Sequence, residues 1–67
     1  MKIIVLHDRF SNQPIIVRPD AISMIRKFKD GGEVYSNIVV EGFGLDIKED
    51  IEDVMVKIKK TESEDKE

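Results

Sequence analysis

The chain has no cysteine, no tryptophan and a single histidine, and its aromatic residues are one tyrosine and three phenylalanines. Each shortage removes a class of function. Without cysteine there is no disulfide, no thiolate zinc site and no cysteine nucleophile. A lone imidazole, His7, rules out a His-rich metal centre. No apolar run approaches the roughly 18 residues of a membrane span. Residues 1–7 read as too short for the apolar part of a secretion signal, and no small-residue cleavage site follows them. The expectation is a cytoplasmic protein with no membrane contact.

What is present implies one small globular domain, expected over residues 1–60. Charged residues make up 37% of the 67 and apolar residues 40%, a mix that folds rather than stays disordered. Below roughly 70–80 residues, a single core seldom supplies more than roughly 3–5 kcal/mol. Charge is unevenly spread. Residues 1–30 carry six basic and three acidic side chains; residues 31–67 carry five and eleven. The acidic second half discourages a wide phosphate-binding surface.

Residues 2–6 are β-branched and aliphatic, suiting a strand covered on both faces or a central one. A polar loop over 7–14 ends in Pro14, and Ile15-Ile16-Val17 resumes strand composition up to Pro19. The pair reads as an antiparallel hairpin. Residues 20–28 admit two readings. Ala21, Met24, Ile25 and Phe28 share one helical face, with Asp20 as cap and Gly31-Gly32 as stop. Alternatively Pro19-Asp20-Ala21 is a single turn, 23–28 a strand, and Asp30-Gly31-Gly32 a hairpin turn. The strand-like neighbours favour the second. Residues 33–40 are a strand and Glu41-Gly42 a tight turn. Phe43, Leu45 and Ile47 alternate with Gly44, Asp46 and Lys48, which sets Asp46 and Lys48 towards water. Residues 49–60 form an amphipathic helix with the stripe Ile51, Val54, Met55 and Ile58 and with Asp50 as N-cap. Residues 61–67 lack any apolar side chain and read as a disordered acidic tail. The expected fold is therefore α+β: a small antiparallel meander of four to five strands followed by one C-terminal amphipathic helix.

One such helix covers one face of a sheet. The strands are apolar on both sides, so the uncovered face predicts self-association, as a homodimer or through edge strands. The rival is a monomer whose 7–14 loop folds over that face.

Catalytic chemistry finds little support. Asp8 follows His7 directly, but neighbours on a strand point to opposite faces, which disfavours a His–Asp relay. Gly42-Phe43-Gly44 lacks the third glycine and the following helix of a phosphate cradle. Asp46, Glu49, Asp50, Glu52 and Asp53 lack calcium-loop spacing and suit a helix N-terminus. No catalytic, cofactor-binding or metal-ligating residue is assigned, and no cofactor is expected. Phe10, Phe28, Tyr35 and Phe43 are candidates for a stacking surface, but with little interleaved arginine they read as packing residues.

The chain resembles the small flagellar FlbD-like proteins. The resemblance rests on the opening strand 2–6, on Ile16-Val17-Arg18-Pro19-Asp20-Ala21-Ile22, and on the strand-to-helix junction Leu45-Asp46-Ile47-Lys48-Glu49-Asp50-Ile51-Glu52-Asp53-Val54. It covers most of residues 1–58. The first loop is longer here, and Asp50 stands where that family usually has Ser. It implies a non-enzymatic accessory protein and brings no catalytic residues with it.

The first functional reading is a non-catalytic adaptor or assembly protein acting through protein contacts. Its candidate surface is Phe10, Tyr35 and Phe43 with the basic cluster Arg26, Lys27 and Lys29. The second is a nucleic-acid-binding accessory using Arg9, Arg18, Arg26, Lys27 and Lys29.

Overall fold

A computed structural model describes residues 2–64. The elements are β1 (Ile4–His7), β2 (Pro14–Val17), a 3-10 turn (Pro19–Ala21), β3 (Ile22–Asp30), β4 (Glu33–Val40), β5 (Phe43–Ile47) and α1 (Ile51–Glu64). The α+β class and the five antiparallel strands agree with the sequence. β1 and β2 form a two-stranded ribbon with Val5 opposite Ile16, and β3, β4 and β5 form a sheet in that order. The ribbon joins the sheet through one bridge between Asp8 and Ile47. Two backbone bonds flank it: Arg9 N–H to the Asp46 carbonyl and Lys48 N–H to the His7 carbonyl, both 2.9 Å.

Both sheet turns are two residues long. Gly31 and Gly32 have φ of 57° and 91°, and Glu41 and Gly42 have 51° and 86°. Positive φ at both central positions marks type I′ turns, whose twist matches that of the strands they join. The ambiguous stretch 20–28 resolves as turn and strand. Its four apolar residues do not share a face: Ala21 ends the turn, Met24 and Phe28 lie on one side of the strand and Ile25 on the other, and a bulge sets Ile22 opposite Val40 and Met24 opposite the adjacent Val39, leaving Ser23 as the extra residue. The bulge places Ile22 and Ile25 on one face although they are three apart.

The core is Ile4 and Leu6 of β1, Val17 of β2, Ile38 of β4, Ile47 of β5 and Val54 of α1. The helix packs against β1 and β3. Ser36 is also buried and donates from Oγ to the Glu49 carbonyl at 2.7 Å. β1 is covered on one face only, contrary to the sequence expectation. Ile4 and Leu6 point inward, while Val5 remains exposed and Ile16 is 67% exposed.

Asp50 caps α1. Its carboxylate accepts the Ile51 N–H at 2.7 Å and its carbonyl the Val54 N–H at 3.1 Å. The helix starts two residues later than expected and runs on to Glu64. Residues 61–64 are thus helical rather than tail. No glycine or proline stops the helix at Lys60, and Thr61 Oγ1 donates back to the Ile58 carbonyl at 2.7 Å. Residues 65–67 of the expected tail lie outside the described residues. Among the described residues, no helix is long and apolar enough to cross a membrane.

Candidate interaction surface

The strand register decides which side chains share a face. Ile25, Ile38 and Leu45 lie side by side towards the core, as do Lys27, Ser36 and Ile47. The opposite face carries Met24 beside Val39, Arg26 beside Asn37 and Asp46, and Phe28 beside Tyr35.

On that outer face arginine and aromatic side chains form a continuous row. The Arg26 guanidinium carbon lies 5.3 Å from the Phe28 ring centroid. Phe28 and Tyr35 stack with centroids 5.6 Å apart and planes 19° from parallel. Arg9, from the β1–β2 loop, places its guanidinium carbon 3.7 Å from the Tyr35 centroid and 4.7 Å from that of Phe10. The sequence showed little arginine among the aromatics; folding interleaves two.

Arg9 is held from below as well. Its Nε donates to Glu33 Oε2 at 3.4 Å, and its Nη2 donates to Glu33 Oε1 at 3.2 Å and to Asp30 Oδ2 at 3.4 Å. Its side chain is only 10% exposed. The hydrogen bond to Glu33 does most to push its pKa up. The loop thus lies over one end of the outer face, as the monomer reading expected, but Met24 and Phe28 stay exposed. Arg26 donates to Asn37 Oδ1 at 3.1 Å, and Asn37 Nδ2 donates to Asp46 Oδ1 at 2.9 Å, so Asp46 is half-buried rather than turned to water.

The loop that carries Phe10 is internally tied. Asp8 Oδ2 accepts the Ser11 N–H at 2.9 Å, the Phe10 N–H at 3.0 Å and the Ser11 hydroxyl at 3.0 Å. The Ser11 backbone bond does most to hold the Asp8 carboxyl below its ordinary 3.8. Asp8 N–H reaches the Gln13 carbonyl at 2.9 Å, and Asn12 takes a positive φ of 63°, a conformation asparagine tolerates. Phe10 is 76% exposed on this braced turn.

His7 pairs with Glu49 instead of Asp8. Its Nδ1 lies 2.7 Å from Glu49 Oε2, and its backbone N–H donates to Oε1 at 2.9 Å. Glu49 is 13% exposed. Burial pushes its carboxyl up, but the hydrogen bonds from the His7 ring, the His7 N–H and its own N–H outweigh that and lower it overall.

Of the six surface residues expected from sequence, the fold gathers Phe10, Tyr35 and Arg26. Lys27 and Lys29 do not join them. They sit on the other face, where Lys27 Nζ reaches Asp50 Oδ1 at 3.7 Å. Phe43 pairs with Val40 at the far end of the sheet. Sequence reasoning named Phe28 among the aromatics but read it as packing, and placed Arg9 only in the nucleic-acid reading, so neither entered the expected protein-binding surface. A signal for Phe28 was present: the two-residue turn Gly31-Gly32 sets it opposite Tyr35. Among the described residues, no three His, Asp or Glu side chains gather as a metal site. Comparison with protein-family models, with curated proteins and with solved structures finds no match in any of the three, and nothing in them bears on the FlbD-like resemblance.

Proposed function

We propose that the protein is a non-catalytic adaptor or assembly protein that binds another protein through its outer sheet face. The observation that carries this is Phe10, exposed yet braced on its loop beside the Arg9–Tyr35–Phe28–Arg26 row. Tyrosine and arginine are enriched at the energetic centres of protein interfaces. A braced anchor loses little freedom on binding, so more of the contact energy survives as affinity. His7, the single imidazole, is engaged by Glu49 at ring and backbone, which gives it a structural use. The FlbD-like resemblance agrees with an accessory role.

The test is a photo-cross-linking amino acid at position 10, with one at Ile16 as control, in cells that make the protein. The expected result is one discrete protein adduct from position 10, lost when Tyr35→Ala is added. Cross-links to nucleic acid, or equal yields at both positions, would count against the proposal. An adduct to a second copy, matched by a dimer mass in light scattering, would make the partner the protein itself.

A nucleic-acid accessory is the second reading, favoured by the alternation of Arg26, Phe28, Tyr35 and Arg9. Against it, Asp30 and Glu33 already pair with Arg9, and Arg9 covers a Tyr35 face that a base would need. Binding of a labelled oligonucleotide that weakens steeply with salt would favour this reading.

A further inference from the structure

We infer that the open edge of β3 takes up an acidic, extended peptide segment of another protein as an added strand. This rests on the binding-module reading and names a second contact for it. β3 spans Ile22–Asp30 and, among the described residues, is paired on one side only, with β4. Beyond the bulge its regular part, Met24–Asp30, presents about 23 Å of edge at about 3.3 Å per residue. Proteins usually keep edge strands short, bent or covered, because unpaired N–H and carbonyl groups template a further strand.

The charge on this edge selects what pairs with it. β3 holds Arg26, Lys27 and Lys29 against one acid, Asp30. Asp30 and the neighbouring Glu33 are taken by Arg9. Arg26 is bonded to the neutral amide of Asn37. The Lys29 side chain has no hydrogen bond or ion pair among the described residues. The edge therefore offers cations on both faces, Arg26 on the outer and Lys29 on the inner, with no carboxylate of the protein on either of them.

The same charges disfavour a second copy in the registers centred on Arg26 and Lys27. Antiparallel pairing of two β3 strands about Arg26 sets Arg26 against Arg26. Centring on Lys27 sets Lys27 against Lys27; centring on Phe28 sets Lys27 against Lys29 but also Arg26 against Asp30. Like charges directly opposite are destabilising. A strand with glutamate or aspartate at these positions meets no such penalty, and backbone bonds to an edge make no demand on its remaining residues.

The probe is a fluorescein-labelled, end-capped decapeptide of alternating glutamate and valine, followed by polarisation. Three comparison probes accompany it: the lysine–valine peptide, a ten-base oligothymidylate, and the acidic peptide N-methylated throughout, which keeps its charge but donates no backbone bond. The acidic peptide should bind, the lysine peptide should not, and N-methylation should weaken binding at least tenfold. Lys29→Glu, at an exposed and unpaired site, should weaken it about tenfold, the effect of about 1.4 kcal/mol. Bound peptide should slow hydrogen exchange at alternate β3 amides. Equal binding of the methylated peptide, or binding of oligothymidylate as tight as the acidic peptide, would overturn the inference. So would a dimer in light scattering whose β3 amides are already protected. Loss of peptide binding with the Phe10 cross-link intact would sink the edge inference and leave the outer-face reading standing.

Discussion

The guanidinium carbon of Arg9 sits 3.7 Å from the Tyr35 ring centroid, while its nitrogens bond Glu33 and Asp30. One side chain thereby fastens the β1–β2 loop to the tip of the β3–β4 hairpin. Arg9→Ala should speed amide exchange at residues 30–33 and shift the Tyr35 ring signals in NMR spectra. Arg9→Lys should restore the exchange rates only in part, since an ammonium pairs with Glu33 but does not stack as a planar guanidinium does. Full restoration by lysine would show that the ion pairs alone hold the loop.

Glu49 links acid stability to the His7 contact. Its carboxyl is held below its ordinary 4.5 in the folded protein, so the unfolded chain binds the proton at higher pH than the folded one. Its contribution is complete above about 4.5 and is lost as the pH falls through the lower folded value. Urea midpoints measured from neutral pH to pH 2 should fall on the acid side, and Glu49→Gln should flatten that fall. An identical acid limb in the variant would show that other carboxylates carry it.

Ser36 is fully buried, and its hydroxyl donates to the Glu49 carbonyl. Ser36→Ala should cost about 1–2 kcal/mol, the usual penalty when a buried carbonyl loses its donor. Urea unfolding measures this directly. A change below a few tenths would mean that water replaces the hydroxyl.

Glu41 occupies the first central position of the β4–β5 turn with φ of 51°, where asparagine is far better tolerated. Glu41→Asn should raise stability by about 0.5–1 kcal/mol, since its 4.0 Å contact with the exposed Arg18 contributes little. A lower melting temperature in the variant would contradict this.

Asp8 braces the loop that presents Phe10. Asp8→Ala should raise the fast backbone mobility of residues 9–13 in NMR relaxation and lower the Phe10 cross-linking yield. Unchanged relaxation would assign the loop's order to Asn12 and Gln13 instead.

The legible parts of the fold are those set by neighbours in sequence. Gly31-Gly32 and Glu41-Gly42 announce two tight turns, the alternation from Phe43 to Ile47 a strand, and the Asp50 cap a helix start. The strand from Met24 was obscured because apolar Met24 and Phe28 on one face and Ile25 on the other fall at helical spacing, and the bulge at Ser23 left no local sign. Partners far apart in the chain left no local trace: Arg9 meets Glu33 across 24 residues, and His7 meets Glu49 across 42. Phe10 and Tyr35 were recognisable as surface candidates by type. That Arg9 joins them, and that Lys27 and Lys29 turn to the other face, follows from register.

The bulge has a consequence for insertions and deletions. Excising Ser23 would straighten the border of the sheet and leave every later side chain of that strand on its present side. Excising one residue between Arg26 and Asp30 would exchange lysine for phenylalanine across the layer, breaking the Phe28–Tyr35 stack and the Lys27–Asp50 contact. Chain length at this border is therefore free to vary by one residue at Ser23 and is fixed a few positions further on.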